Sequence, residues 1–184
     1  GVATTNWAKA VDEAAGLWHL EGEDVSVFAD GFVVANPNND SYDVVTVTDG
    51  KVTLDKPYAV IHVGKPYISD IETLDIDTPQ GETLIDKNKL TNAVSLGVER
   101  TRGLWAGARP PSDDSVDPKE GLTEFKLRND EDYDSPPELL TETVDAIVQG
   151  DYNSHGRIFI RQIDPVPMTI LSIAPAGVYP FRGG

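Results

Sequence analysis

The alternation of apolar and polar residues between positions 89 and 105 is the feature that most constrains the fold of this chain. Leu90, Val94, Leu96 and Val98 share the even positions, whereas the odd positions include the polar residues of this stretch at 91, 95 and 99. A period of two collects apolar side chains on one face of a strand, but a helix would scatter them around its circumference. Because the pattern recurs along the chain, the sequence predicts an all-β protein.

Two Asp-Gly pairs give the strongest local turn signals. Asp30-Gly31 separates apolar runs at 25–29 and 32–34, and Asp49-Gly50 separates runs at 44–48 and 51–54. Asp-Gly favours the type I′ turn of a two-residue hairpin, which needs positive φ at both central positions. We therefore expect two hairpins within an antiparallel meander, a sandwich or a barrel-like domain.

One short helix is expected before the first hairpin, at residues 6–15. Asn6 can cap it, and Gly16 can end it. The apolar residues between these two follow helical spacing: they are Trp7, Ala10, Val11 and Ala14.

Further strands are predicted by apolar runs in the rest of the chain. They lie at residues 58–63, 65–74, 89–102, 122–127, 143–148, 157–162 and 168–173. We expect the 58–63 strand to be buried on both faces, and Pro66 to place the 65–74 segment at a sheet edge or a bend. The expected organisation is a helical lead-in at 1–22, a single β domain at 23–175 and an exposed C-terminal arm at 176–184.

The charge and the cysteine content exclude several classes of function. The chain has 31 acidic and 15 basic residues, for a formal net charge of −16, and this balance disfavours nonspecific binding to nucleic acid. It has no cysteine, which excludes disulfides and thiolate zinc sites. No stretch approaches the roughly 18 apolar residues of a membrane span. The chain starts at Gly1 rather than Met, and we expect a processed product or the ordered part of a longer polypeptide.

Candidate metal ligands do not form a recognisable motif. The three histidines, His19, His62 and His155, lack metal-ligand spacing, and structural roles are expected for them. The acidic loop at 130–134 resembles part of a calcium-binding EF-hand loop, but prolines replace its glycine turn and Thr141 stands at its twelfth position. We interpret it as a solvated loop. The same interpretation applies to Asp113, Asp114 and Asp117.

Catalytic motifs are equally lacking in the sequence. It contains no GxSxG elbow, no P-loop and no GxGxxG, and paired carboxylates carry no specificity among 31 acids. Trp7, Trp18 and Trp105 can build a sugar-stacking platform, although tryptophan more often packs in cores or interfaces. We predict no catalytic, cofactor-binding or metal-binding residue, and a protein that is not an enzyme.

Three groups of segments resemble a known family. The first is GLWHLEG at 16–22 with VSVFADG at 25–31, and the second is VGKPY at 63–67 with SDIETL at 69–74. The third is GRIFIRQ at 156–162 with DPVPMTIL at 164–171. In this order they resemble the hub and nozzle proteins of short-tailed phage tails, also called tail tubular protein B or packaged-DNA stabilisation proteins. Trp18 departs from the small residue usual in the family, and residues 35–42 lengthen a hairpin.

The resemblance implies a virion protein made in the host cytoplasm and placed in the phage tail. Such a protein forms a homo-oligomeric ring, commonly a hexamer, beside an adaptor and fibres. The ring retains genomic DNA and then conducts it during ejection, without binding it specifically. The resemblance also implies that the chain is the C-terminal part of a larger protein, and it covers both the hub and the nozzle position.

We hypothesise that part of the negative charge faces the channel, from the loops at 112–117 and 130–134, because carboxylates repel phosphates. Trp18 and Trp105 are candidate interface anchors, with core roles as the alternative. Two other classes of function stay open. One is a β-sandwich binding module that contacts carbohydrate or another tail protein, and the other is a tail-associated hydrolase.

Overall fold

The computed structural model describes residues 9–77, 83, 87–125, 132, 135–150 and 152–180. In these ranges the chain is nearly all β and its named strands pair only antiparallel, which confirms the predicted class. The strands are β1 Val11–Ala15, β2 Asp24–Ala29, β3 Phe32–Ala35, β4 Val45–Thr46, β5 Lys51–Tyr58, β6 Ile61–Gly64, β7 Ser69–Glu72, β8 Lys89–Thr101, β9 Leu104–Gly107, β10 Thr123–Glu124, β11 Leu140–Ile147, β12 Phe159–Gln162 and β13 Ile170–Pro180. A 3-10 turn spans Trp18–Leu20.

The chain divides into two compact units. The first unit contains the described residues of Gly1–Tyr67 and Asp132–Pro137, and the second contains those of Ile68–Glu131 and Glu138–Gly184. Each unit has its own hydrophobic cluster. These bounds differ from the single β domain expected at 23–175, because an alternating pattern marks strands but does not reveal which strands share a core.

The first unit is built around β2. This strand pairs with β3, β4 and β6, while β1 pairs separately with β5. The buried cluster of the unit contains apolar residues from these strands and their turns, namely Leu20, Val25, Val27, Ala29, Ala35, Val47, Val52, Leu54 and Tyr58.

Both Asp-Gly turns have the backbone that the sequence predicted. The φ angles are 46° and 88° at Asp30 and Gly31, and 54° and 68° at Asp49 and Gly50. The first turn joins β2 to β3 in a hairpin, as expected. The second is closed by two backbone hydrogen bonds between residues 48 and 51, of 2.9 and 3.2 Å, but β4 then pairs with β2 and β5 with β1. The second turn therefore closes a hairpin of only one residue pair, because β4 and β5 then pair with different strands.

The helix predicted at 6–15 is wrong over its described part. Residues 11–15 form β1, which pairs with β5 so that Ala14 lies opposite Val52. Glu13 Oε2 also accepts a hydrogen bond from Lys51 Nζ at 3.0 Å. Helix propensities differ by only about 0.7 kcal/mol per ordinary residue, so pairing with a neighbouring strand overrides them. The proposed cap Asn6 and Trp7 lie outside the described residues.

The strand predicted at 58–63 is interrupted. Ala59 and Val60 form a bend between β5 and β6, and their N–H groups each donate to the carboxylate of Asp30 at 2.8 Å. His62 on β6 is exposed, so this segment is not buried on both faces. The aspartate of the first turn therefore fixes the neighbouring bend as well as its own hairpin.

The second unit contains two sheets, with strand orders β11-β8-β13 and β10-β9-β12-β7. Residues of both sheets form one cluster: Val94, Leu96, Val98, Leu104, Ala106, Phe125, Leu140, Ala146, Val148, Ile158 and Ile160. The chain passes from β8 in one sheet to β9 in the other through Arg102 and Gly103, whose φ of 69° suits glycine. Two open sheets around a shared core agree with the sandwich alternative.

The C-terminal segment continues this sheet further than expected. Strand β13 pairs with β8 up to Pro180, which lies opposite Lys89. Residues 176–180, expected to begin an exposed arm, are therefore part of a strand, and residues 181–184 lie outside the described residues.

Strand β8 has the predicted buried face, with one addition at its start. Val94, Leu96 and Val98 are buried, as the alternation indicated. Lys89 and Thr91 are buried too, although they lie on the opposite face of the strand. The Thr91 hydroxyl donates to the carbonyl oxygen of Gly156 at 3.2 Å, and Lys89 Nζ donates to that of Ile76 at 2.8 Å. Hydrogen bonds to a neighbouring loop thus make burial of these polar groups possible.

We expect Leu96→Ala to lower the free energy of unfolding by about 2–5 kcal/mol, because it leaves a cavity at a fully buried position. Leu171→Ala is the matched control, since Leu171 is 64% exposed, and it should change stability by no more than about 0.5 kcal/mol. Denaturant unfolding of both variants measures the difference. Equal losses would contradict the burial described for β8.

Candidate functional site

The edge of the β10-β9-β12-β7 sheet carries the densest set of charged contacts among the described residues of the second unit. Strand β7 forms the edge and pairs with β12, with Asp70 opposite Arg161 and Glu72 opposite Phe159. Every second residue of β7 is acidic, at 70 and 72. One arginine, at 157, lies just before β12, and another, at 161, lies within it. Directly opposed and diagonal side chains on such a pair are close enough to interact.

Among these charged residues, Arg161 makes the most side-chain hydrogen bonds. Its Nε and Nη2 atoms each donate to an oxygen of Asp70 at 2.7 Å, and its Nη1 donates to the Pro118 carbonyl oxygen at 2.9 Å. The guanidinium carbon lies 5.2 Å from the centre of the Phe159 ring. The side chain is 14% exposed, so the planar fork is largely withdrawn from water, where a bidentate pair is strongest.

A second cluster lies beyond the start of β12. Asp75 accepts from Arg157 Nε at 2.5 Å and from His155 Nδ1 at 3.1 Å, while Arg157 Nη1 lies 3.4 Å from Glu72 Oε1. The hydrogen bond from Arg157, followed by that from His155, holds the pKa of Asp75 below its ordinary value of 3.8. The same bond with Asp75 raises the pKa of Arg157. The cluster is exposed to solvent, so these are surface ion pairs.

This cluster borders a cleft of about 590 Å³ within the second unit. The backbone of Gly121 and Gly150 forms part of its wall. The polar residues that line it are Glu72, Arg109, Gln149, Tyr152, Asn153, His155 and Arg157. A volume of this size falls within the range of small-ligand pockets.

The turn at 153–156 holds one wall of the cleft in place. Asn153 Oδ1 accepts from the backbone N–H groups of His155 and Gly156 at 2.9 and 2.6 Å. Backbone hydrogen bonds of 2.7 and 3.1 Å join Asn153 to Lys89, whose side chain is 0% exposed beneath this turn. A Cβ atom at Gly156, where φ is 62°, would lie 2.8 Å from Lys89 Cδ, so the turn needs glycine there.

The structure keeps the three histidines apart. His19 lies exposed in the 3-10 turn, and His62 lies on β6 with its ring centre 6.3 Å from that of Phe28. His155 alone joins a charged cluster. Among the described residues, no group of three or more His, Asp or Glu side chains is arranged to hold a metal ion.

The acidic loops are solvated where they are described. Asp113, Asp114 and Asp117 are exposed, and the Asp117 carboxylate accepts from the Lys119 N–H at 2.9 Å in a local turn. In the 130–134 loop only Asp132 is described, and it is exposed; the rest of that loop lies outside the described residues.

The tryptophans do not form a common platform in the described part of the chain. Trp18 is 70% exposed, and its ring lies over Gly50, where an added Cβ would approach it to 2.4 Å. Trp105 is half-buried on β9, with Lys119 Nζ 5.8 Å from its ring centre. Trp7 lies outside the described residues.

Comparison with models of known protein families finds no match to this sequence, and comparison with curated proteins finds none either. Among the described residues, no helix has the length and apolar character needed to span a bilayer.

Neither the cleft nor its charged cluster was predicted from the sequence. The usable signal was two acidic residues at 70 and 72 in one segment and two arginines at 157 and 161 in another. That signal becomes informative only when the register of the two strands is known, because opposite charges stabilise a sheet only where they face each other.

We expect Arg157→Gln to raise the pKa of Asp75 toward its ordinary value, because the largest cause of its depression is removed. Since the native pKa is depressed, Asp75 contributes stability above pH 3.8 that is lost as the pH falls through the native pKa, and this contribution should shrink in the variant. Carboxyl carbon NMR titration measures the shift. Arg100→Gln, at an exposed arginine outside the cluster, is the control, and an unchanged Asp75 titration in Arg157→Gln would contradict the assignment.

Arg161→Lys should lower the free energy of unfolding by about 1–3 kcal/mol, because an ammonium cannot replace the fork that spans Asp70 and the Pro118 carbonyl. Lys65→Gln, which removes an exposed ion pair with Glu23, is the control and should cost at most about 1 kcal/mol. Denaturant unfolding compares the two. A smaller loss for Arg161→Lys than for the control would mean that the fork is not what stabilises this edge.

Proposed function

We propose that this protein is a structural component of the tail of a short-tailed phage, a hub or nozzle ring that forms the channel which retains and then conducts genomic DNA. The observation that carries the proposal is that four of the segments resembling this family pair with one another, 25–31 with 63–67 and 69–74 with 156–162. A chance resemblance scattered along the chain has no reason to coincide with strand pairing.

The first pairing joins segment 25–31 to segment 63–67. Strand β2 runs antiparallel to β6, with Val27 opposite Val63 and Ser26 opposite Gly64. Asp30 of the same segment holds the bend that leads into β6. Asp30 and Gly31 of the resembling motif thus form the hairpin turn, and Asp30 also stabilises the bend before β6.

The second pairing joins segment 69–74 to segment 156–162. Beyond the β7–β12 register, Thr73 Oγ1 accepts from the Ile158 N–H at 3.0 Å, and the Thr73 N–H donates to the Ile158 carbonyl at 2.9 Å. Gln162 Nε2 donates to the carbonyl oxygens of Arg102 and Pro167 at 3.1 and 3.4 Å, which ties the two halves of the third group together.

The remaining motif, at 16–22, stabilises the second Asp-Gly turn. The carboxylate of Glu21 accepts from the N–H groups of Asp49 and Gly50 at 2.9 and 2.6 Å, and the Gly22 N–H donates to Val47 at 3.0 Å. The motif residues thus stabilise turns and strand pairs. A structural component requires residues with this role, and their presence supports the proposal.

The charge of the chain supports a conduit for DNA. At −16 the protein repels a polyanion, and repulsion keeps DNA from adhering to the wall that it passes. Asp113, Asp114 and Asp117 are exposed and available to face such a channel. We propose that they do so in the assembled ring.

Ring contacts have a candidate surface at the β7 edge. No strand of the described part of the chain pairs with β7 on the side away from β12, and such edges pair readily with another chain. Leu74, just beyond the strand, is exposed and adds apolar area. Neighbouring copies, the adaptor and the fibres are the proposed partners.

One observation favours a second function, a binding module for carbohydrate or another tail protein. The exposed face of Trp18 is fixed over Gly50 and offers a flat apolar surface on which a sugar ring can stack. A soluble polysaccharide would then change the tryptophan fluorescence, and Trp18→Ala would abolish that change. A conduit ring predicts no response.

The experiment that tests the proposed function is the oligomeric mass of the chain, alone and within its parent particle, by light scattering and electron microscopy. A closed ring with an axial hole of about 20 Å, wide enough for a B-DNA duplex, is the expected result. A monomer in both settings would refute the ring. In a ring whose acids at 113–117 point outward, the channel charge would be refuted while the conduit stands.

A further inference from the structure

An arginine that makes no ion pair with the described part of the chain lines the cleft of the second unit. Arg109 is exposed there, and its guanidinium makes no ion pair or hydrogen bond with the described residues. Arg157 and Arg161, by contrast, are held by carboxylates. Acidic residues outnumber basic ones 31 to 15 in this chain, yet none of the described acidic side chains neutralises Arg109 at the cleft.

Two other residues that line the cleft, Arg157 and His155, also have polar side-chain atoms without a partner among the described residues. Arg157 bonds through Nε and Nη1, which leaves Nη2 without a partner among the described residues. His155 bonds through Nδ1 to the Asp75 carboxylate; this carboxylate can only accept, so Nδ1 carries the proton and Nε2 of the neutral ring is an acceptor. The lining thus combines guanidinium donors with an imidazole acceptor.

This combination matches a peptide that carries a carboxylate. A carboxylate fits the fork of Arg109 in bidentate geometry, and a peptide N–H supplies the donor that His155 Nε2 and the Glu72 carboxylate require. A DNA backbone offers acceptors only, so it supplies no donor to the Glu72 carboxylate or to His155 Nε2. The lining therefore favours an acidic peptide over nucleic acid.

We propose that the cleft of the second unit is a binding site for an acidic segment of a partner protein. Arg109 binds the carboxylate, Arg157 Nη2 adds a second donor, and His155 Nε2 accepts from the main chain of the segment. The volume of the cleft, about 590 Å³, falls within the range of small-ligand sites. The site does not depend on the ring function, since a ring without it and a monomer with it are both possible.

The test is an NMR titration of the whole chain at low salt with a blocked tetra-glutamate peptide, observing the arginine side-chain Nε–Hε signals. A blocked tetra-glutamine peptide and a short DNA duplex are titrated in parallel. We expect a saturable shift of the Arg109 signal with tetra-glutamate, none with tetra-glutamine and none with the duplex.

Two variants make the result specific to the cleft. Arg109→Gln should weaken tetra-glutamate binding about tenfold or more, because hydrogen bonds between charged groups are lost. Arg100→Gln is the matched control, since Arg100 is also exposed but does not line the cleft, and it should bind as the unaltered chain does. The unchanged spectrum of the sheet cores in both variants verifies that they remain folded.

The proposal is overturned by any of three outcomes: no shift at Arg109 with tetra-glutamate, equal weakening by Arg100→Gln, or a duplex that shifts the Arg109 signal as strongly as the peptide. The first outcome removes the site, the second shows nonspecific attraction, and the third shows nucleic-acid binding. None of the three bears on whether the chain forms a ring.

Discussion

Strand β8 lies in the middle of its sheet, and the second unit depends on it. The strand forms hydrogen bonds along both edges, to β11 and to β13, and then passes through Arg102 and Gly103 into β9 of the second sheet. Its buried side chains pack in the cluster that both sheets share. At its first residue, backbone bonds to Asn153 fix the turn beside the cleft. One strand therefore connects the core of this unit to its candidate site.

The features of the fold that local chemistry controls were predictable. The Asp-Gly turns have positive φ at both residues because few other dipeptides tolerate it, and the alternation in β8 predicts the buried face of that strand. The helix at 6–15 failed because β1 is stabilised by pairing with β5, which lies more than thirty residues away in sequence. Strand partners, and the division into two units, are long-range properties that no local pattern contains.

The candidate site was less predictable than the fold, for a related reason. The sequence placed His155 beside a turn but gave no indication that Asp75 lies against it, since 80 residues separate the two. That Arg109 has no ion-pair partner within the described ranges is recognisable only once the contacts around the cleft are known. The pairing of β7 with β12 brings the acidic residues near 70–75 close to the basic residues near 155–161. Their contacts can therefore be predicted only when the register of the two strands is known.

The buried side chain of Lys89 has a consequence for how this region can be followed experimentally. An amine-reactive reagent cannot reach an ammonium that is 0% exposed beneath the 153–156 turn. Modification of Lys89 therefore requires the turn to open, and its rate under native conditions reports the free energy of that local opening. The exposed amine of Lys65 provides the internal reference for reagent reactivity. The rate of Lys89 modification relative to that of Lys65 thus measures how readily the turn that forms the cleft wall opens.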